Sequence, residues 1–480
     1  MRPDRPPPRF TNLMLFTVVI AILGLRFWTS YCFFPFVEWN NVHLAPTFMM
    51  FFGPTPYPGI NCGPLTTWIY GPVPLLMNLP AILASDTIGA LLIAGMINLL
   101  LAIIPTALVI ATLVIPETKT SRLDRAWAIL LCLAVWPSSS LQYIQSDNAA
   151  IAFGLLSNLL ILRTSRSHQS PLVFAGVCAA LAVWSKQTSL GIIPAQLLWL
   201  ALTTGRATAV RYAGVCIFCG LTLGAVFVAW FGFNALWLNM VRIPGRLPFA
   251  EDLLARTRDF QLHILGYVLL PAAGLIVARR TVWRRDSPWL LPALAWVCLL
   301  PTALISIYRI GGATNSLNGF LYLLPLGALA VAVKLRHLTP RASTAWMAAL
   351  TLAILTQQLA HSSLLPLRPM TKPLIEAEAL SRAFPGQVYF PWHPLVTYFC
   401  EHRFDHAEDG LTTHGEAEIE LSLETIRRYL PPRWSITAIP GWREREQARY
   451  KKYQPPTAEL RIAGKWSLYT WPQTRQSLPQ

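Results

Sequence analysis

The sequence predicts an all-α polytopic membrane protein carrying a small α/β domain at its C-terminal end. Three observations predict it. Of 480 residues, 54% are hydrophobic and 13% charged, with a mean hydropathy of +0.44; soluble domains carry roughly 25% charged residues. Apolar runs recur from Leu13 to about residue 361, and a crossing needs about 20 mainly apolar residues. Beyond His361 the chain turns polar, rich in Glu, Arg, His, Pro and Trp. The net charge of +16 is no sign of nucleic-acid binding, since Lys and Arg of membrane proteins collect in cytoplasmic loops and set orientation.

Arg2, Arg5 and Arg9 precede the first apolar run, which continues into Trp28, Tyr31 and Phe33 with no small-residue cleavage site. It reads as an uncleaved first span with a cytoplasmic N-terminus. Phe36 to Met77 follows, too broken by Pro and Gly for a plain membrane helix. It carries one acid, Glu38, among Trp, Tyr, Asn and His. A lone carboxylate beside a span faces water or a partner, so it is a functional candidate; an interfacial aromatic belt with a solvated Glu explains the stretch equally. Residues 36–85 form a first extracytoplasmic loop with juxtamembrane helices. Gly71, Pro72, Pro74 and Pro80 make 66–85 re-entrant or surface-lying rather than a crossing.

Further spans are expected near 88–115, 126–143, 148–163, 171–185, 188–203, 212–232, 262–279, 287–306, 317–334 and 344–361. Five basic clusters (119–125, 163–166, 206–211, 279–285 and 334–341) then share one side with the N-terminus, giving about 11 spans, N-in and C-out. The opposite face receives Glu38, the Gln145-Ser146-Asp147 and Trp184-to-Thr188 corners, the 233–260 loop, residues 306–318 and the C-terminal domain, 363–480. Within that domain 388–400 reads as a buried strand and turn, and 416–430 as helical. Cys62 and Cys400 are candidates for pairing, while Cys216-x-x-Cys219 reads as packing. His393, His402, His406 and His414 read as surface histidines, His402-x-x-x-His406 being a metal-binding pair only on a helix. No phosphate-cradling Gly-rich loop, H-E-x-x-H or G-x-S-x-G motif is present.

Several short features fall in order along residues 1–360: Val37-Glu38-Trp39, Gly53 with Tyr57-Pro58, Gly63-Pro64-Leu65, Tyr70-Gly71-Pro72, Ser146-Asp147, W-S-K-Q-T (184–188) and Y-R-I-G-G-A-T-N (308–315). In this order and placement the chain resembles the GT-C superfamily of membrane glycosyltransferases, near the bacterial relatives of protein O-mannosyltransferases and aminoarabinose transferases. The resemblance implies a catalytic module over 1–362. That module would take a sugar from a polyprenyl-phosphate donor to an acceptor on the extracytoplasmic face of the cell membrane.

By that resemblance Glu38 is the general base toward the acceptor hydroxyl, although the family more often has Asp there. Asp147 is the second catalytic candidate: it orients substrate, holds a divalent cation in relatives that use one, or caps the next span. No cofactor is otherwise implied. The phosphate leaving group needs cations, for which Lys186, Arg309 and Arg242 are the candidates; snorkelling is the competing account. Arg256 and Arg258 read as a solvated basic loop. Trp39, Tyr57, Trp68 and Tyr70 are candidates to pack on a sugar, a membrane-interface belt explaining them equally, with Gln187 and Asn315 as hydrogen-bonding partners; Gly311-Gly312 makes a tight turn beside Asn315. The residues themselves leave two other classes open, a transporter or lipid flippase and a non-catalytic envelope assembly protein.

Overall fold

The structure is a computed structural model that describes residues 9–33, 38–66, 68–114, 122–135, 143–164, 171–264, 269–277, 279–285, 287, 289–320, 323–336, 339–360, 371–440, 459–463 and 466–470. Helix α1 (Arg9–Phe33) is followed by α2 (Glu38–Phe52), the short α3 (Val73–Met77) with a 3-10 turn at Leu79–Leu83, and α4 (Thr87–Val114). Next come α5 (Arg122–Val135), α6 (Ser146–Leu162), α7 (Pro171–Ser185), α8 (Ile192–Thr203) and α9 (Arg206–Phe231). A broken stretch holds α10 (Phe233–Trp237), α11 (Ile243–Arg246), α12 (Leu253–Ile264), α13 (Leu270–Val277) and α14 (Arg279–Val282). The bundle closes with α15 (Leu290–Tyr308), α16 (Leu323–Arg336) and α17 (Pro340–Ala360).

Among the described residues four helices are long and apolar enough to cross a membrane: Leu13–Cys32, Thr87–Leu108, Arg206–Phe231 and Leu290–Tyr308. Ser146–Leu162 and Pro171–Ser185 are apolar but shorter; at 1.5 Å per residue they reach roughly 23–26 Å. The expected span 262–279 falls across α12, α13 and α14. Residues 265–268 and 278 of that expected span lie outside the described residues. In the segment 66–85, α3 and the 3-10 turn have five residues each, far short of a bilayer.

The bundle core is built from Trp127, Leu131, Leu155, Ile192, Leu299, Phe320 and Met347. Polar side chains lace it. Gln196 donates to Ser157 Oγ (2.8 Å) and Asn158 Oδ1 (2.8 Å) and accepts from the Tyr212 hydroxyl, joining α6, α8 and α9. Asn148 donates to Asn98 at 2.6 Å, joining α6 to α4. In an apolar medium such contacts fix helix register where burial alone gives none.

The polar C-terminal part contains α18 (Lys372–Ala383), β1 (Val388–Tyr389), α19 (Pro394–Glu401), α20 (Glu408–Glu416), α21 (Leu423–Arg428), β2 (Ile436–Pro440), β3 (Glu459–Ala463) and β4 (Trp466–Thr470). The strands form one sheet in the order β1-β2-β4-β3, with β1 parallel to β2 and the other pairs antiparallel. With α18 and α19 it packs on α2 and the start of α4: Leu374, Val388, Phe390, Leu395 and Trp466 share a core with Leu44, Phe48, Ala90 and Leu91. Two local expectations change. The 388–400 strand is two residues long and gives way to α19 at Pro394, where proline suits a helix start. The 416–430 stretch is helical only over Leu423–Arg428, because Glu418 has a positive φ of 53° and Ser422 caps α21, accepting from the Thr425 amide at 3.1 Å. Cys62 and Cys400 are free thiols.

His393, His406 and His414 are buried rather than at the surface. The His406 Nδ1 accepts from the Leu65 amide at 2.9 Å, so Nε2 carries the proton and donates to the Thr425 carbonyl at 3.4 Å. The Ala407 amide returns a bond to the Leu65 carbonyl at 2.9 Å, latching the first loop to the C-terminal part. Burial lowers His406 to about 4. A folded value below the unfolded one gives stability that is present above about pH 6.5 and lost as pH falls toward about 4, by about 3 kcal/mol. The neighbouring Asp405 opposes it. Burial pushes its carboxyl up to about 7 against the pull of Arg403, so its contribution is lost as pH rises through that value. Comparison with His406→Gln isolates the histidine. In melts of the detergent-solubilised protein, the stability advantage of wild type over His406→Gln is expected to shrink steadily from pH 7 to pH 4.

Candidate active site

The site is built by α2 pinning the start of α6. Asn40 Oδ1 accepts from the Ile144 amide at 2.6 Å, and His43 Nδ1–H donates to the Ile144 carbonyl at 2.6 Å. Asn41, the next residue, accepts from the Leu395 amide at 2.9 Å and ties α19 to the same helix. Three residues beyond Ile144, Asp147 lies in the first turn of α6, where the helix dipole favours an acid. Gln145 is the N-cap residue but makes no side-chain capping bond, and Ser146 Oγ is buried without a hydrogen-bond partner among the described residues.

Asp147 is fixed by charge instead. Lys186, the residue after α7, donates to Asp147 Oδ1 at 2.6 Å, the two side chains being 8% and 7% exposed. Asn315 donates to Oδ2 at 3.3 Å. Tyr70 stands beside them with the Lys186 ammonium 5.6 Å from its ring centre, and burial with the nearby Asp147 and Asp409 raises its phenol. Gly71 permits that placement: a Cβ there would meet the Trp184 carbonyl oxygen at 1.6 Å, so loop and α7 touch through bare backbone. Gln187 seals the junction, donating to the Ile69 and Met240 carbonyls at 3.0 and 2.9 Å. Met240 sits in a π-helical turn, Leu238–Arg242.

These walls enclose a cavity of about 490 Å³, within the range of small-ligand sites. Trp39, Tyr70, Lys186, Gln187, Arg309 and Asn315 line it, bringing together six of the residues singled out in the sequence. Asp147 lies just behind, lining a smaller pocket of about 30 Å³ that shares Lys186, Thr188 and Ser316 with the main one. Glu38 is buried in the first turn of α2, one residue before Trp39, and does not line the cavity. Arg242 is outside the lining too; its helical turn presents Met240 and Pro244 instead. Tyr57 is wholly buried among Trp68, Val73, Leu75 and Phe227 and donates to the Tyr70 carbonyl at 2.9 Å. It supports the loop from behind and does not reach the cavity, because its ring fills the apolar core.

Arg309 lines the cavity with its guanidinium 5.3 Å from the Phe249 ring centre, and its Nη1 donates to the Pro244 carbonyl. Its Nε is buried with no hydrogen-bond partner among the described residues. Arg256 is no solvated charge: it is half-buried and bonded to three backbone carbonyls of the 307–312 turn. Two further contributions were missed in the sequence. His43 lines the cavity, neutral because burial lowers its imidazole. Asp409, Thr413 and Glu416 line it from α20, at the i, i+4, i+7 spacing of one helix face. That spacing was readable, but nothing in the sequence placed α20 over the cavity.

Around Asp147 the near groups are an ammonium and an amide N–H, a donor set that does not fit a divalent cation. Among the described residues no three His, Cys, Asp or Glu side chains gather as metal ligands.

No family model and no curated protein matches the chain. Solved structures share its fold. It is similar to ArnT from Cupriavidus metallidurans in the apo state, with a TM-score of 0.56 and 10% identity over 95% of this chain and 97% of that one. ArnT bound to undecaprenyl phosphate gives 0.56 and 11% over the same shares. The oligosaccharyltransferase AglB from Archaeoglobus fulgidus, in complex with an inhibitory peptide and a dolichol-phosphate, gives 0.51 and 13% over 97% of this chain and 75% of that one. At such identities the likeness establishes the fold alone, which this chain shares with ArnT and AglB.

The buried pair sets a stability test. Lys186→Met leaves Asp147 uncompensated and is expected to cost about 3–5 kcal/mol. Adding Asp147→Asn is expected to recover most of that loss in a double-mutant cycle read by thermal unfolding.

Proposed function

We propose that the chain is an integral membrane glycosyltransferase. It moves a sugar from a polyprenyl-phosphate donor to an acceptor on the extracytoplasmic face. The observation that carries this reading is that two cations, Lys186 and Arg309, both line the cavity, and that the Arg309 Nε has no partner among the described residues. An anionic leaving group would satisfy it. That ArnT is found bound to undecaprenyl phosphate and AglB to dolichol-phosphate supports the same ligand class here.

In this reading the acceptor oxygen attacks the anomeric carbon, the bond from that carbon to the phosphate oxygen breaks, and polyprenyl phosphate leaves. Charge growing on the phosphate is met by Lys186 and Arg309. Asp147 and Asn315 hold Lys186 in place. Glu38, one residue before the cavity-lining Trp39 and itself outside the lining, is the base this reading assigns to the acceptor proton. Trp39 and Tyr70 pack on the sugar, and Asp409, Thr413 and Glu416 receive its hydroxyls or those of the acceptor. In this reading residues 1–362 supply the cations of the site and 363–480 its acidic outer wall. Arg242 and Tyr57 have no direct part.

Purified protein incubated with a panel of polyprenyl-phosphate sugars is expected to release polyprenyl phosphate. Glu38→Gln is expected to slow release by about 100-fold or more with an unchanged melting temperature. If folded wild type consumes no donor while liposome flux assays show lipid movement, the transferase reading is wrong and the flippase class takes its place.

A further inference from the structure

We propose that Arg256 is a positioning residue for Arg309, holding the 307–312 turn in the cavity wall so that Arg309 can bind phosphate. The proposal rests on the transferase reading above.

Helix α15 ends at Tyr308, and its last carbonyls have no partner within the helix. Arg256, reaching over from α12, takes them up. Its Nε donates to the Ile307 carbonyl at 3.1 Å, and its Nη2 donates to the Arg309 and Gly312 carbonyls, both at 2.7 Å. A guanidinium at a helix C-terminus also faces the negative end of the helix dipole. The turn is therefore wrapped round one side chain from another part of the chain.

Two more bonds fasten the same two segments, together forming an isolated antiparallel bridge between Phe249 and Arg309: the Ala250 amide donates to the Tyr308 carbonyl at 2.9 Å, and the Ile310 amide donates to the Pro248 carbonyl at 2.9 Å. The Tyr308 hydroxyl lies 2.9 Å from Thr257 Oγ1. Gly312 makes the turn tight enough to be gripped: a Cβ there would lie 2.0 Å from the Ser306 carbonyl oxygen and 2.8 Å from that of Arg309. Arg256 does not itself line the cavity, but Arg309, Ile310, Gly311 and Gly312 all do. Its effect on a ligand must pass through the turn.

The test measures undecaprenyl phosphate affinity for wild type, Arg256→Ala, Arg256→Lys, Arg309→Ala and the double alanine variant. Arg256→Ala is expected to weaken binding by about 10- to 100-fold, from the loss of charge-assisted bonds. Arg256→Lys is expected to restore only part, because an ammonium does not reproduce the guanidinium fork. The double variant is expected to bind no more weakly than Arg309→Ala alone, since Arg256 acts through Arg309. Arg258→Ala, which removes an exposed charge two residues on, is expected to bind as wild type does. Hydrogen exchange of the 309–312 amides is expected to rise in Arg256→Ala while α2 keeps its protection. Should Arg256→Ala not fold, Arg256→Gln carries the same comparison. Wild-type affinity in a folded Arg256 variant, or losses that multiply in the double variant, overturn the role given to Arg256. Absence of lipid binding by wild type overturns the transferase reading itself, and this proposal with it.

Discussion

A carboxylate buried at the edge of an apolar helix bundle must be compensated, and most of the site follows from how Asp147 is compensated. The helix dipole of α6 is too weak to do so alone. Lys186 supplies the counter-charge from the end of α7, and Asn315 supplies a hydrogen bond from the turn before α16. Two distant chain segments are therefore held within hydrogen-bonding distance of one side chain. The cation presented to the cavity is fixed by the same contact, since Lys186 both neutralises Asp147 and lines the wall.

The rest of the enclosure is built on α2. Consecutive polar residues reach in different directions from that helix: Asn40 and His43 to Ile144, Asn41 to Leu395. One helix thus sets the position of Asp147 and of the C-terminal elements together. The latch at Leu65 with His406 and Ala407 then brings α20 over the cavity. A wall taken from the C-terminal part, with a core shared between it and the first loop, makes the two halves one structural unit around the site.

How much of this was legible in the sequence depended on what each residue needed from its neighbours. The fold class was readable because composition and apolar run length act locally, and so was the clustering of Tyr70, Lys186, Gln187, Arg309 and Asn315, because uncommon polar residues at helix ends are costly unless they meet something. Tyr57 was misplaced because an aromatic beside a membrane reads alike whether it packs on a ligand or on a core. Arg256 was misread because its partners are backbone carbonyls about fifty residues away, which no spacing reveals. The α20 face was missed for a related reason: its i, i+4, i+7 pattern is visible, but what it faces depends on a contact to Leu65 more than 300 residues earlier. The length of the 416–430 helix was overestimated because periodicity does not reveal a residue with positive φ, here Glu418.

The central claim is that Lys186 and Arg309 form a seat for a lipid phosphate. The most direct measurement is an experimental structure of the protein with a polyprenyl phosphate bound. Phosphate density is expected between the Lys186 ammonium and the Arg309 guanidinium, with the Arg309 Nε now paired. Lipid phosphate bound elsewhere, with both side chains as they are here, would contradict it.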